Sequence, residues 1–164
     1  MNKLKPLIER PYRPCVGLMV FNYLGEVFSG QRLDNPNNAW QLPQGGINEG
    51  ENPIRAAFRE LEEETSITSV SYIAEYPEWL NYDVPLNLAN NLWDGKYRGQ
   101  TQKWILLYFN GLDNEINIDT LNPEFKNWLW INPTELSTKA VYFKKEVYKK
   151  INHIFLPIIK EYVN

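Results

Sequence analysis

Only one cysteine and one histidine occur in this chain of 164 residues. Cys15 alone cannot close an internal disulfide, which suits a reducing compartment. It sits between Pro14 and Val16 in an apolar run, as a buried structural thiol would. His153 falls on the terminal helical pattern with no chemical neighbour in sequence, so hydrolysis driven by a histidine is not expected. No run approaches the roughly 20 apolar residues that a membrane helix needs. The opening Met-Asn-Lys-Leu-Lys-Pro lacks the apolar region of a secretory signal. Cytoplasm is the expected location, with no membrane partner. A surplus of basic charge is missing too: the net charge is −3. That argues against a protein gripping long nucleic acid through many phosphates. It permits recognition of a nucleic-acid end, because a bound cation would bring local positive charge. Repeats, low-complexity tracts and linker-like shifts are absent, and the length fits one domain over 1–164. What is present is 43% hydrophobic residues and six tryptophans, enough for a folded core.

Residues 15–21 (Cys-Val-Gly-Leu-Met-Val-Phe) read as a buried strand. A turn over 22–25 leads into an alternating partner over 25–32. Residues 34–39 are rich in Asn, Asp and Pro and read as a loop. Residues 69–74, 103–109 and 128–131 read as further strands. The stretch 75–102, aromatic and rich in Pro, Asn and Gly, reads as a long functional loop. From Phe143 onward, Val147, Ile151, Ile154, Phe155, Ile158 and Tyr162 mark an amphipathic terminal helix, in which Pro157 is expected to cause a bend or break. Strands separated by two helices predict an α+β fold, a mixed sheet sandwiched by helices. The tryptophans at 40, 104, 128 and 130 read mainly as core or pocket wall.

The most informative stretch is Gly45-Gly46-Ile47-Asn48-Glu49-Gly50-Glu51, followed by Arg59-Glu60-Leu61-Glu62-Glu63-Glu64. Asn52 is a good N-cap, and Pro53 at the first helical position loses no hydrogen bond. Ile54, Ala57, Phe58 and Leu61 share one helical stripe. Glu60, Glu63 and Glu64 follow their own i, i+3, i+4 spacing on another side. One helix thus offers a face to the core and a face to chemistry. Clustered carboxylates are hard oxygen donors suited to a divalent cation, Mg²⁺ first, with Mn²⁺ or Zn²⁺ also admissible. The cation relieves the repulsion among three close acids. Gly45 and Gly46 let backbone approach such an ion, with a carbonyl at Gly45 able to serve as a ligand. Arg59 is placed to pair with Glu51 or a neighbouring carboxylate and hold the turn.

The pattern Gly-x5-Glu-x7-Arg-Glu-Leu-x-Glu-Glu resembles the signature box of the Nudix hydrolases, here about 45–67. These enzymes cleave a nucleoside diphosphate linked to another group. One position departs: the family usually has glycine where this chain has Ser66, which bears on the turn that ends the helix. The resemblance continues through Tyr12-Arg13-Pro14-x-Val16-Gly17, Trp40-Gln41-Leu42-Pro43-Gln44, Gln102-Lys103-Trp104, Pro123-Glu124-Phe125 and Phe143-Lys144-Lys145-Glu146-Val147-Tyr148. In that order these segments are similar to the bacterial RNA pyrophosphohydrolases, also described as dinucleoside polyphosphate hydrolases. The resemblance implies a Nudix-type α/β/α sandwich. It implies a metal held by Gly45, Glu60, Glu63, Glu64 and Glu124, with Arg59 and Glu51 completing the catalytic box. It implies phosphate contacts from Arg13 and Arg32, a nucleobase stacked on Phe143, and contacts to the RNA end from Gln102 and Lys144. The implied reaction removes pyrophosphate from 5′-triphosphorylated RNA, leaves a monophosphate and exposes the transcript to decay. The alternatives are cleavage of diadenosine polyphosphates at the same site, or a silent nucleotide-binding module, which would be expected to have lost a box acid.

Overall fold

The computed structural model describes residues 3–34 and 37–164. Of the loop expected over 34–39, Asn35 and Pro36 lie outside the described residues. Among the described residues, eight strands form one mixed sheet. Strand β1 (Tyr12–Phe21) runs through its centre, because seven successive residues at its C-terminal end are buried and can be covered on both faces. It pairs in parallel with β7 (Gly99–Phe109) along its whole length, from Tyr12↔Gly99 to Phe21↔Tyr108. The tight turn into β2 (Val27–Arg32) is made by Asn22, whose side-chain oxygen accepts the Leu24 and Glu26 amides at 3.1 and 3.0 Å. Gly25 supplies the positive φ of 78° that this turn needs. Two short strands follow, β3 (Trp40–Gln41) against β2 and β4 (Gln44–Gly46) against β1. Strands β5 (Val70–Glu75) and β6 (Leu80–Asp83) both pair with β7, and β8 (Phe125–Ile131) pairs with β2.

Alternation along β1 sends its side chains to two separate cores. Val16, Leu18 and Val20 join Ile105 and Leu107 beneath helix α1 (Pro53–Thr65), which contributes Ala56, Ala57 and Leu61. Met19 and Phe21 join Trp104 and Leu106 beneath the terminal helix α4 (Lys145–Val163), through Val147, Ile151, Phe155 and Ile159. Helices on both faces of a mixed sheet make the expected α/β/α sandwich. Each fully buried large aliphatic side chain contributes about 1.5–3 kcal/mol, so the Leu61 stripe fixes the rotation of α1 and with it the direction of its acids.

Two expectations fail. Residues 75–102 are not a loop: they hold β6, helix α2 (Leu86–Asn91) and the start of β7. Pro85, just before α2, and polar residues disguised elements that are short and partly solvent-facing. A further short helix, α3 (Leu136–Lys139), was also not expected. Of the bend or break expected at Pro157, the break does not occur: α4 runs on through it to Val163. Pro157 and His153, whose carbonyl loses its usual i+4 donor, are both exposed. Water can therefore take the lost bond. Among the described residues, no helix is long and apolar enough to cross a membrane.

Candidate active site

The end of α1 is where the sequence departs from the family pattern, and Ser66 resolves it by adopting the left-handed conformation itself (φ 65°, ψ 5°). Its amide donates to the Glu62 carbonyl at 2.9 Å and its hydroxyl to the Asn117 carbonyl at 2.9 Å. This long-range bond offsets a cost of about 1–2 kcal/mol for a side chain in this region. At the other end, the Asn52 side chain accepts the Ile54 amide at 2.8 Å, with Pro53 in the first turn.

Between these caps, Glu60, Glu63 and Glu64 line one open cleft of about 610 Å³ together with Glu124, Thr120 and Asn122. Glu64 is buried and its Oε2 has no hydrogen-bond partner. Burial, reinforced by Glu60 and Glu124, pushes its carboxyl well above the usual carboxylate range. Burial also raises Glu60, against the pull of Arg59. Arg59 ties the helix to the turn. It donates to both oxygens of Glu51 at 2.7 and 2.8 Å, to Glu60 at 2.8 Å, to Glu63 at 3.3 Å and to the Gly46 carbonyl at 2.9 Å. Its hydrogen bonds hold the Glu51 carboxyl down at about 2.

Strand β4 is pressed from two directions. A Cβ on Gly45 would overlap the Glu60 carboxyl, and one on Gly46 would overlap the Arg13 guanidinium. Glycine at both positions is what lets an acid and a base close onto the same short strand.

These residues fit a divalent cation by their chemistry. The donors are hard carboxylate oxygens, one of them is buried without a partner, and two are raised chiefly by burial and further by neighbouring acids. Among the described residues, no three His, Cys, Asp or Glu side chains already converge as a complete metal shell. The reason is visible in the ion pairs: Glu60 and Glu63 lean to Arg59, and Glu124 leans to Arg32 at 3.6 Å. Arg32 is further bound to both oxygens of Asp34 at 2.8 and 3.0 Å. It is thus largely committed to carboxylates.

A second group of expected residues lies beside β4. Arg13 Nη1 donates to Gln100 Oε1 at 2.9 Å, and Phe143 stacks on Tyr82 with centroids 6.0 Å apart at 22°. Gln102 and Lys144 form the floor of this region and not its rim. Gln102 is 1% exposed, and its amide donates to Gln44 Oε1 and Cys15 Sγ at 3.0 and 3.4 Å. Lys144 is 7% exposed and donates to Gln41 Oε1 at 3.0 Å, with the Tyr82 ring 5.9 Å away. Inward alternation on β7 and the short helical turn before α4 put them there. Cys15, the buried thiol, is pushed up to about 11 by burial.

Sequence reading missed Tyr82, Gln100, Gln41 and Trp93. Two signals were available: the apolar–polar alternation of 80–83 as Leu-Asn-Tyr-Asp, and glutamines at 100 and 102 alternating in step with Trp104.

The buried Lys144 carries a measurable consequence. Burial first, then the Arg32 charge, lowers it to about 8 from an ordinary 10.5. Between those values the folded chain sheds this proton before the unfolded chain does, so its contribution to stability rises with pH. The contribution is complete above 10.5 and is lost as pH falls through 8. That separation corresponds to roughly 3 kcal/mol. Denaturant titrations across that window are expected to show wild-type stability rising relative to Lys144→Met. Parallel curves would place the ammonium in water instead.

Residues 11–151 match the family described as NUDIX domain. An RNA pyrophosphohydrolase of Cereibacter sphaeroides is 49% identical over 149 residues, covering 90% of this chain and 92% of the relative. One from Wolbachia pipientis is 47% identical, covering 93% and 94%. In fold, the chain is similar to a Caenorhabditis elegans Ap4A hydrolase in binary complex, with a TM-score of 0.62 at 22% identity over 87% of this chain and 98% of the other. The sandwich, the capped acid helix and the glycine strand closing on Glu60 are therefore those of a relative of known enzymes, and the chain belongs to the Nudix hydrolase family.

Proposed function

We infer that this protein removes pyrophosphate from the 5′ end of triphosphorylated RNA. One water is consumed, and the products are a 5′-monophosphate RNA and pyrophosphate. The observation that carries the reading is the meeting of Glu60, Glu63 and Glu64 with Glu124 in one cleft, with Glu64 Oε2 buried and unpartnered. The near full-length relatives that bear the RNA pyrophosphohydrolase name support the substrate.

Glu60, Glu63, Glu64 and Glu124 would hold the divalent metal, Mg²⁺ ahead of Mn²⁺ or Zn²⁺, with the Gly45 carbonyl as a further donor. When bound, the metal neutralises phosphoryl oxygens and lowers the pKa of a coordinated water. Arg59 and Glu51 fix the turn, so that Glu60 stays against β4. A box glutamate takes the proton from the attacking water. Arg13 steadies the phosphates, a planar guanidinium being suited to two oxygens at once, and Arg32 adds positive charge at the rim. Phe143 presents a ring for the first base, and stacking of that kind contributes on the order of 1–3 kcal/mol per base. Gln102 and Lys144 shape the floor below it.

The same phosphate chemistry admits a dinucleoside polyphosphate, so the test is a side-by-side rate measurement. With Mg²⁺ present, 5′-triphosphate RNA is expected to outpace 5′-diphosphate RNA and diadenosine tetraphosphate. Faster turnover of diadenosine tetraphosphate would move the assignment to the second substrate class. Cleavage of none of the three would end the enzymatic reading. Full activity in Glu63→Gln would remove that residue from the metal site.

A further inference from the structure

The backbone at Trp93, Asp94 and Gly95 has φ values of 51°, 56° and 71°, three consecutive residues in the left-handed region and two of them not glycine. A side chain is sterically disfavoured in this region. Strain of this kind persists only where the surroundings over-determine it, and it gathers at functional sites. What the turn delivers is the Trp93 indole. The guanidinium carbon of Arg13 lies 5.7 Å from its ring centroid, within cation–π range, and Tyr97 packs edge-on against the indole at 6.0 Å.

Arg13 is held from two more directions. Its Nη1 donates to Gln100 Oε1 at 2.9 Å, and Gln100 Nε2 reaches the Tyr82 hydroxyl at 2.5 Å. The bare backbone of Gly46 lets Nη2 approach where any Cβ would collide. Gln100 and Tyr82 are only 3% and 7% exposed, so this support does not exchange freely with water.

The identity of these supports matters as much as their geometry. Arg32, Arg59 and Arg98 each pair with carboxylates within 3.0 Å. Among the described residues, Arg13 has no ion pair: an indole and an amide, both neutral, orient it. Its guanidinium is therefore fixed in direction and bonded to no carboxylate, with Glu60 acting on it only through space, which is the condition an anion clamp requires. An arginine already satisfied by an acid would have to break that pair before taking a phosphate.

We propose that Trp93 and the Gln100–Tyr82 relay are positioning residues that lock the Arg13 guanidinium, bonded to no acid, toward the phosphates of the substrate. This rests on the reading of Arg13 as a phosphate contact. Its test is a set of double-mutant cycles on 5′-triphosphorylated RNA with Mg²⁺. Trp93→Leu is expected to lower kcat/KM roughly tenfold, the equivalent of about 1.4 kcal/mol, while Trp93→Phe, which keeps an aromatic face, recovers most of the loss. Tyr82→Phe, which keeps the ring and its stack on Phe143, is expected to lower kcat/KM several-fold through the freed Gln100 amide. In an Arg13→Ala background neither substitution should cost anything further. Equal losses in both backgrounds would overturn the proposal, as would Trp93→Phe performing no better than Trp93→Leu. If Trp93→Leu fails to fold, the Tyr82→Phe cycle decides the matter by the same criterion. Arg13→Ala with unchanged kinetics would instead sink the phosphate-contact reading on which the proposal stands.

Discussion

Glu64→Gln is expected to yield a protein that is more stable than the wild type and nearly inactive. Glu64 is 7% exposed, its Oε2 has no partner, and Glu60 and Glu124 add repulsion to the cost of burial. Glutamine keeps the shape and can still accept through one oxygen. It replaces the unpartnered oxygen by an N–H₂ that faces acids. Removing a buried carboxyl crowded by two other acids should therefore raise unfolding free energy by about 1–3 kcal/mol. Activity moves the other way. A change one sphere out from a metal already costs 10–100-fold, so loss of a direct carboxylate donor should exceed roughly a hundredfold in kcat/KM. A second readout is independent of turnover: Mg²⁺ is expected to raise the thermal midpoint of the wild type, since a ligand binding only the folded state stabilises it. The same titration should do little to Glu64→Gln. A variant that kept its rate, or that responded to Mg²⁺ as the wild type does, would place Glu64 outside the metal site.

This trade is also why the site was legible in the sequence. Helix α1 was readable residue by residue: Asn52 and Pro53 mark its start, the Ile54 to Leu61 stripe marks its buried side, and the acids stand apart from that stripe at helical spacing. The central strands were equally plain, because fully buried strands are continuous apolar runs. Local pattern ends there. Glu124 lies 60 residues from Glu64, and no periodicity brings it to the cleft; the family resemblance suggested it, and the β2–β8 pairing carries it there. Gln102 and Lys144 look like surface polar residues in sequence, yet they are paired below the surface by Gln44, Cys15 and Gln41. Tyr82 and Trp93 were hidden for another reason. They sit in a segment whose short strand and left-handed turn are stabilised by contacts with β7 and Arg13, and not by their own propensities.

Gly45→Ala tests the same site from its opposite wall. The methyl group it adds would land within the space held by the Glu60 carboxyl group. Two responses are open to the chain, and their costs differ. Moving β4 would break the Val16↔Gly45 pairing with β1 at the centre of the sheet. Moving Glu60 requires only side-chain rotation, but it withdraws the carboxylate from β4 and strains its 2.8 Å bond to Arg59. The second response is cheaper, so Glu60 should be the group that yields. Stability is then expected to fall by no more than about 1 kcal/mol, because the glycine has ordinary strand geometry and alanine loses less backbone entropy. Activity is expected to fall by more than about a hundredfold, because catalytic groups tolerate displacements of only about 0.5 Å. Rotating Glu60 away removes one bond of Arg59, which keeps its two bonds to Glu51 and one to Glu63. The turn should survive while the acid is misplaced. A cooperative unfolding transition close to that of the wild type, combined with lost turnover and a weakened Mg²⁺ response, is the predicted signature. Substantial unfolding with retained activity in the folded fraction would mean that β4, and not Glu60, gives way.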